Sequence, residues 1–242
     1  MHSTFNGFNT RLVHAGIPED AYGSVVTPIY QTSTFAFRNA QQGANRFAGT
    51  EDGYIYTRTG NPTTAALEAN VASLENGFGA TAMASGMGAV STVYLALLSA
   101  GDHMVSTDSV YGPSRGLMEK HMSRFGVEST YVDTTDLENL RRALRPNTRL
   151  VYIESPSNPA MSVTDIAGAA EIAHAHGALL VVDNTFASPV LQKPLDLGAD
   201  VVLHSVTKFI NGHADVVGGI VVARTEELHK KIRTMLVNLG AN

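Results

Sequence analysis

Cysteine is absent from all 242 residues. That excludes disulfides, thiolate metal sites and thiol nucleophiles, and it suits a reducing cytosol. No stretch is strongly basic, and the net charge of -5 with a pI near 6.0 argues against nucleic acid as a partner. Apolar runs are short, none approaching the roughly 20 residues of a membrane span. The first residues, MHSTFNGFNTR, lack the apolar core of a signal peptide. The expectation is a soluble, cytoplasmic protein. There is no P-loop, because no glycine is followed by lysine and then serine or threonine. The nine histidines offer no metal-ligand spacing: His174 and His176 are two apart, on different faces of a helix. What the chain does have is 44% hydrophobic residues, enough for a sizeable core in one large domain or two small ones.

The pattern changes near residue 60. Before it, turn residues and aromatics mix without a lasting period, as in TPIYQTSTFAF and NRFAGTEDGYIYTRTGNP. A stretch of this length without regular structure is unusual inside a compact domain. Its Tyr30, Phe35, Phe37, Tyr54 and Tyr56 argue against disorder, since disordered segments are poor in aromatics. Residues 1–60 therefore read as an arm that packs on another surface, such as a second subunit, and residues 61–242 as the main domain.

In that domain, short β-rich runs alternate with helical ones. Pro62 and Thr63 open a helix with Leu67, Val71 and Leu74 on one face, closed by Gly77. A second helix spans 86–99. The strand candidates are HMVST (103–107), ESTYVD (128–133), RLVYIES (149–155), ALLVVDN (178–184), DVVLHS (200–205) and GGIVVA (218–223). Further helices are expected over 136–144 and 162–176, and after a Thr225 cap with Leu228, Ile232, Met235 and Leu239 on one face. Continuous apolar strands separated by helices predict an α/β fold, a largely parallel sheet covered on both faces.

Ligands of such sheets bind at the carboxyl ends of the strands. Those ends carry Asp183, the SPSNP turn with Asn158, and Ser205, Thr207 and Lys208. One decoy is GFGATA (77–82), which matches a dinucleotide-binding glycine pattern and has Asp102 at about the right distance. That pattern needs a strand before its first glycine. Here a helix precedes Gly77, so that glycine reads as a helix C-cap, which argues against a nicotinamide oxidoreductase and leaves it the third reading. The second glycine cluster places Ser85, Gly86 and Met87 at a helix start, where small residues, free amides and the positive helix end favour a phosphate. A phosphate seat, an aspartate at a strand end and a lysine next to the hydroxyls of Ser205 and Thr207 together match the needs of pyridoxal phosphate (PLP). Its aldehyde bonds a lysine and its ring nitrogen works best protonated. A carboxylate beside that nitrogen favours the charged form. On this reading Lys208 is consumed as an imine, which removes the cost of desolvating an ammonium at the end of an apolar strand.

At these residues the chain resembles the trans-sulfuration, or Cys/Met metabolism, family of PLP-dependent enzymes, in its methionine γ-lyase and cystathionine γ-lyase branch. The resemblance runs through FNTRLVHAG, TPIYQTSTF, YIYTRTGNPT, ASGMGA, VYG, YIESPSNP, VVDNTF and HSVTKFINGH. It implies the fold of type I PLP enzymes, with Lys208 bonded to the cofactor and then moving protons on the substrate. Asp183 would face the ring nitrogen. Tyr111 would stack on the ring and serve as acid or base toward the γ-leaving group. Ser85, Gly86, Met87, Ser205 and Thr207 would hold the phosphate, and Asn158 would lie near the ring hydroxyl. Tyr56 and Arg58 would reach the phosphate of a neighbouring subunit, in a homodimer with shared sites assembled as a tetramer. The implied reaction is γ-elimination on a sulfur amino acid, giving a thiol, ammonia and a 2-oxo acid.

Two departures keep other reactions open. Pro113 stands where methionine γ-lyases carry a cysteine, and Val237 where they tend to carry a lysine. Cystathionine γ-lyase, cystathionine γ-synthase and homoserine-ester sulfhydrylase activities all remain. The family also continues into a smaller C-terminal domain whose arginine binds the substrate carboxylate, so the sequence is expected to be part of a longer enzyme. A truncated scaffold that binds cofactor without turnover is the alternative of another class.

Overall fold

The computed structural model describes residues 7–242, so the first six residues of the expected arm lie outside the described part. In chain order the elements are α1 (Phe8–His14), α2 (Ala40–Phe47), α3 (Pro62–Glu75), β1 (Gly79–Met83), α4 (Gly86–Leu97), β2 (His103–Thr107), α5 (Gly112–Lys120) and a 3-10 turn over Met122–Phe125. Then follow β3 (Glu128–Val132), α6 (Leu137–Ala143), β4 (Thr148–Glu154), α7 (Ile166–Ala175), β5 (Leu179–Asp183), α8 (Ser188–Leu191), β6 (Val201–Ser205), β7 (Gly219–Ala223) and α9 (Glu226–Leu239).

The strands form one seven-stranded sheet in the order β1-β7-β6-β5-β4-β2-β3. Only β7 runs antiparallel to its neighbours; the remaining pairs are parallel. Side chains alternate between the two faces of each strand, and both faces are apolar. Val151, Ile153, Leu180, Val182 and Val202 pack with Val71 of α3, Leu140 of α6 and Ala169 of α7. Leu150, Tyr152, Val181, Val201 and Leu203 pack on the other face with Val93 and Tyr94 of α4, Met118 of α5 and Ile232 of α9. Each fully buried valine or leucine contributes about 1.5–3 kcal/mol, so the strand ends that carry the polar residues are held by a dense three-layer core. This is the largely parallel α/β fold expected from the sequence.

α3 opens at Pro62 and α9 after the Thr225 cap, as expected, with Asn61 as a further, unexpected cap. Asn61 caps α3 through Thr63 N–H (2.9 Å), and Thr225 caps α9 through Leu228 N–H (3.3 Å). Some boundaries move. α7 begins at Ile166, because Asp165 accepts from Gly168 N–H and defines the first turn there. On α9 the buried residues are Ile232 and Leu236, while Leu239 is exposed. The left-handed residue that ends α3 is Asn76 (φ 58°) rather than Gly77. Gly77 answers a packing demand instead: a Cβ there would lie 2.3 Å from Val222 Cγ1. The GFGATA segment is thus a helix-to-strand turn that runs into the unexpected strand β1 from Gly79 on, the reverse of a dinucleotide-binding unit.

Residues 7–60 contain more regular structure than expected, namely α1 and α2 and a single bridge between Thr34 and Tyr56. Neither helix buries a large apolar side chain. α1 buries no residue, and α2 is held by polar contacts, Asn39 to Gln42 N–H and Gln42 to Glu51. Within 7–60 only Ala15, Gln42 and Gly43 are buried, while Tyr22 (96%), Val25 (87%) and Ile29 (83%) are largely exposed. Among the described residues no helix is long and apolar enough to cross a membrane.

Candidate active site

A cavity of about 220 Å³ opens at the carboxyl ends of the parallel strands. Nine of the expected residues line it: Ser85, Gly86, Met87, Tyr111, Asn158, Asp183, Ser205, Thr207 and Lys208. They arrive from the end of β5 and β6, the start of α4 and the loops after β2 and β4. Tyr56 and Arg58 do not line it. Arg58 lies on the surface, its guanidinium 5.5 Å from the Tyr56 ring, and donates to Val237 O at 2.7 Å.

At the α4 end, Ser85 Oγ accepts from Gly88 N–H (3.0 Å) and Ser85 O from Ala89 N–H (3.1 Å). The amides of Gly86 and Met87 then have no hydrogen-bond partner among the described residues. Such free first-turn amides, with the positive helix end behind them, attract an anion. Gly86 is required for the geometry, since a Cβ there would stand 2.7 Å from Ser205 Cβ. Its absence brings the Ser205 hydroxyl to the same spot. Thr207 is more engaged than expected: its hydroxyl pairs with Gly218, accepting from N–H at 3.1 Å and donating to O at 3.3 Å.

The opposite wall holds two buried carboxylates on adjacent strands. Asp183 and Glu154 are register partners of β5 and β4. Asp183 Oδ1 accepts from the Thr185 hydroxyl (2.6 Å) and amide (3.1 Å), and Oδ2 from Tyr152 OH (3.3 Å). Burial nevertheless raises its pKa above the ordinary value, against the pull of these donors. Glu154 accepts from Tyr111 N–H (2.7 Å, Oε2) and from Asn158 N–H (2.8 Å, Oε1). Burial first, then the neighbouring Asp183 charge, pushes its pKa up to about 7. Neither carboxylate has an ion-pair partner among the described residues.

Glu154, Thr185 and the apolar lining residues Val90, Phe186, Leu203 and Val217 escaped the sequence reading. For Glu154 the signal was present, since it ends an apolar run just as Asp183 does. Lys208 brings a correction. Its side chain is exposed at the cavity rim, so an ammonium there bears little desolvation cost and the argument from that cost falls away. Tyr111 is likewise 43% exposed, at the cap of α5.

Fold and cavity define an α/β domain with free helix-start amides at one end of its pocket and two buried, unpaired carboxylates at the other. The chain belongs to the Cys/Met metabolism PLP-dependent enzyme family, whose model matches residues 9–242. It is 52% identical over 222 residues to an L-methionine gamma-lyase of Treponema denticola, covering 91% of this chain and 55% of that protein. A cystathionine gamma-lyase of Bacillus subtilis is 48% identical, with 96% and 59% covered. The crystal structure of metB from Corynebacterium glutamicum superposes with a TM-score of 0.92 at 44% identity, covering 98% of this chain and 60% of that one. The chain thus spans somewhat over half the length of the relatives it matches.

The residues present fit PLP on two observations. The free amides of Gly86 and Met87 beside the Ser205 hydroxyl form a seat for its phosphate. The unpaired carboxylates of Asp183 and Glu154 call for a cation, which a protonated ring nitrogen supplies.

Proposed function

We propose that the full-length protein catalyses γ-elimination on sulfur amino acids, releasing a thiol, ammonia and a 2-oxo acid. The observation that carries this reading is the convergence of Lys208, Tyr111, Asp183 and the α4 amides on one cavity. The names of the relatives support it, as two are γ-lyases. When bound, PLP supplies an electrophilic aldehyde and a ring that accepts electron density from the carbon losing its proton. The chain's own residues supply the rest. Gly86, Met87 and Ser205 bind the phosphate, with Ser85 fixing the helix turn that presents these amides and Thr207 at its edge. Asp183 holds the proton on the ring nitrogen. Asn158 positions the ring hydroxyl through the turn that Glu154 anchors. The Lys208 amine would anchor the cofactor at rest and, once freed by the substrate's own amine, would take the α-proton, give that proton up, and so be neutral again to take the β-proton. The exposed Tyr111 phenol delivers a proton to the departing sulfur. The absence of cysteine fits a cytoplasmic setting.

γ-Replacement is the second reading, favoured by Pro113 and by a probable cystathionine gamma-synthase of Herpetosiphon aurantiacus that is 45% identical. Pro113 lies in the first turn of α5, two residues after Tyr111, so the segment expected as a loop is a helix start that the fixed backbone angle of proline stiffens. One altered contact shifts specificity by about 10- to 200-fold. Discrimination in favour of methionine should therefore be poor, with cystathionine, homocysteine and activated homoserine esters competing well. Specificity constants of the full-length protein for these compounds test both points. A preference for methionine above about a hundredfold over every competitor would defeat the argument from Pro113, and no thiol release from any of them would defeat γ-elimination.

We also propose that residues 1–60 are an arm that completes the site of a second subunit in a homodimer, itself half of a tetramer. The exposed apolar residues of that segment and the distance of Tyr56 and Arg58 from their own cavity lining support it. Mixing Arg58→Ala with Lys208→Ala subunits should restore activity toward about one quarter of the wild-type level, because random pairing gives half hybrids with one intact site each. No recovery despite demonstrated subunit exchange would count against shared sites.

A further inference from the structure

A second polar cluster lies on the far face of the sheet, directly behind the cavity. Glu75, the last residue of α3, is fully buried, as are Asn184 and His204. Glu75 Oε1 accepts from Asn184 Nδ2 (3.0 Å) and, since a carboxylate only accepts, from His204 Nε2–H (2.7 Å). Asn184 in turn exchanges two bonds with Gln192, Nδ2 donating to Gln192 O (3.0 Å) and Oδ1 accepting from Gln192 Nε2 (2.9 Å). Gln192 Nε2 also donates to Ser155 O at 2.9 Å.

The placement of these residues is systematic. Ser155 follows Glu154, Asn184 follows Asp183, and His204 precedes Ser205. Alternation along a strand puts each cavity residue on one face and its chain neighbour on the other. The cluster therefore joins the ends of β4, β5 and β6 from behind, at the point where each turns into the cavity wall. The arrangement is costly to keep. Glu75 Oε2 and His204 Nδ1 are buried without partners, each an expense to the fold. An apolar core at this place would avoid that expense.

We propose that Glu75, with His204, Asn184 and Gln192, positions the three strand ends for cofactor binding. Glu75 is then a positioning residue that acts through Asp183, Ser205 and the turn after Glu154 without touching the cofactor. This rests on the PLP-binding reading above. Because a displacement of about 1 Å in a site can cost about a hundredfold, loss of the common acceptor should weaken cofactor binding by at least about tenfold.

The test titrates pyridoxal 5'-phosphate into the cofactor-free full-length protein and follows the visible absorbance of the bound form, with circular dichroism and melting temperature measured in parallel. Glu75→Leu removes the acceptor, whereas Glu75→Gln keeps an amide oxygen for the same two donors. Gln192→Leu cuts the side-chain links to Ser155 O and Asn184 Oδ1 but keeps the Gln192 carbonyl for Asn184 Nδ2 and leaves Glu75 in place, and it remains informative if Glu75→Leu does not fold. The expected result is at least a tenfold higher Kd for Glu75→Leu and a smaller rise for Gln192→Leu. Glu75→Gln should stay within about threefold of wild type, because its oxygen accepts both bonds. The double leucine variant should be less than additive, as expected of residues that form one unit. The proposal is overturned if Gln192→Leu and the folded Glu75 variants bind like wild type. It is equally overturned if Glu75→Gln is as impaired as Glu75→Leu with a matching loss of melting temperature, which marks a purely structural pair. Failure of the wild-type protein to bind PLP would instead remove the functional reading and leave the polar cluster a feature of folding.

Discussion

Lys208→Ala should lower kcat/KM of the full-length protein by at least about 10³-fold, because it removes both the covalent attachment point and the base. The fold should be little changed. Lys208 is exposed, and among the described residues its side chain has no ion pair or hydrogen bond, its amide alone donating to Ser205 O at 3.1 Å. Substitutions at such places usually change stability by less than about 0.5 kcal/mol. A large loss of activity with an unchanged melting curve is the pattern a catalytic amine produces and a structural lysine does not. Small primary amines added to the variant should restore part of the rate by taking over the proton transfers. A normal rate without added amine would remove Lys208 from the mechanism.

Much of this site was legible because its chemistry sits at strand ends, where an apolar run stops at a polar residue. Asp183 after ALLVV stands out on that criterion alone, and Lys208 stands out as the cation that follows the polar end of the VVL run. Glu154 meets it equally well, at the end of the VYI run and directly before the SPSNP turn. The fold was legible for the same reason: strands buried on both faces read as continuous apolar segments. Strand β1 was not, because GATAM is short and rich in small residues, and its hydrogen bonding comes from the distant β7. Helix α5 was hidden by two glycines and a proline, with only Ser114 and Met118 buried. The cluster around Glu75 was out of reach of sequence reasoning. Its members lie on α3, β6 and the segments after β4, β5 and α8, up to 129 positions apart, and only tertiary packing assembles them.

The exposed rim lysine and the buried wall carboxylate make opposite demands on the protein. Lys208 costs the cofactor-free chain little, whereas Asp183 costs it a desolvated charge. Its folded pKa is raised above the ordinary value of 3.8 by burial. The folded state therefore holds the Asp183 proton to higher pH than the unfolded chain does. The resulting penalty is absent well below pH 3.8, grows as pH rises from there through the raised folded pKa, and is constant above it.

Asp183→Asn removes that penalty. The carbonyl oxygen of the introduced amide can still accept from the Thr185 hydroxyl and backbone N–H, while its NH₂ group replaces the oxygen that faces Tyr152 OH. The cofactor-free variant should melt at or above the wild-type temperature near neutral pH, and the difference should shrink as the pH falls toward 3.8. Activity should go the other way. A neutral amide cannot balance a protonated ring nitrogen, and its N–H favours the unprotonated form instead, so kcat should fall by about 10²–10⁴-fold. Cofactor affinity should also drop, since the wall loses the Asp183 charge and keeps only Glu154, which burial holds close to half protonated at neutral pH. Measuring melting temperature against pH without cofactor, and kcat with it, separates the two effects. A variant that keeps kcat within about threefold of wild type would mean that Asp183 does not set the protonation of the ring. A variant that melts well below wild type at neutral pH would mean that the Thr185 and Tyr152 hydrogen bonds outweigh the desolvation of the charge they hold.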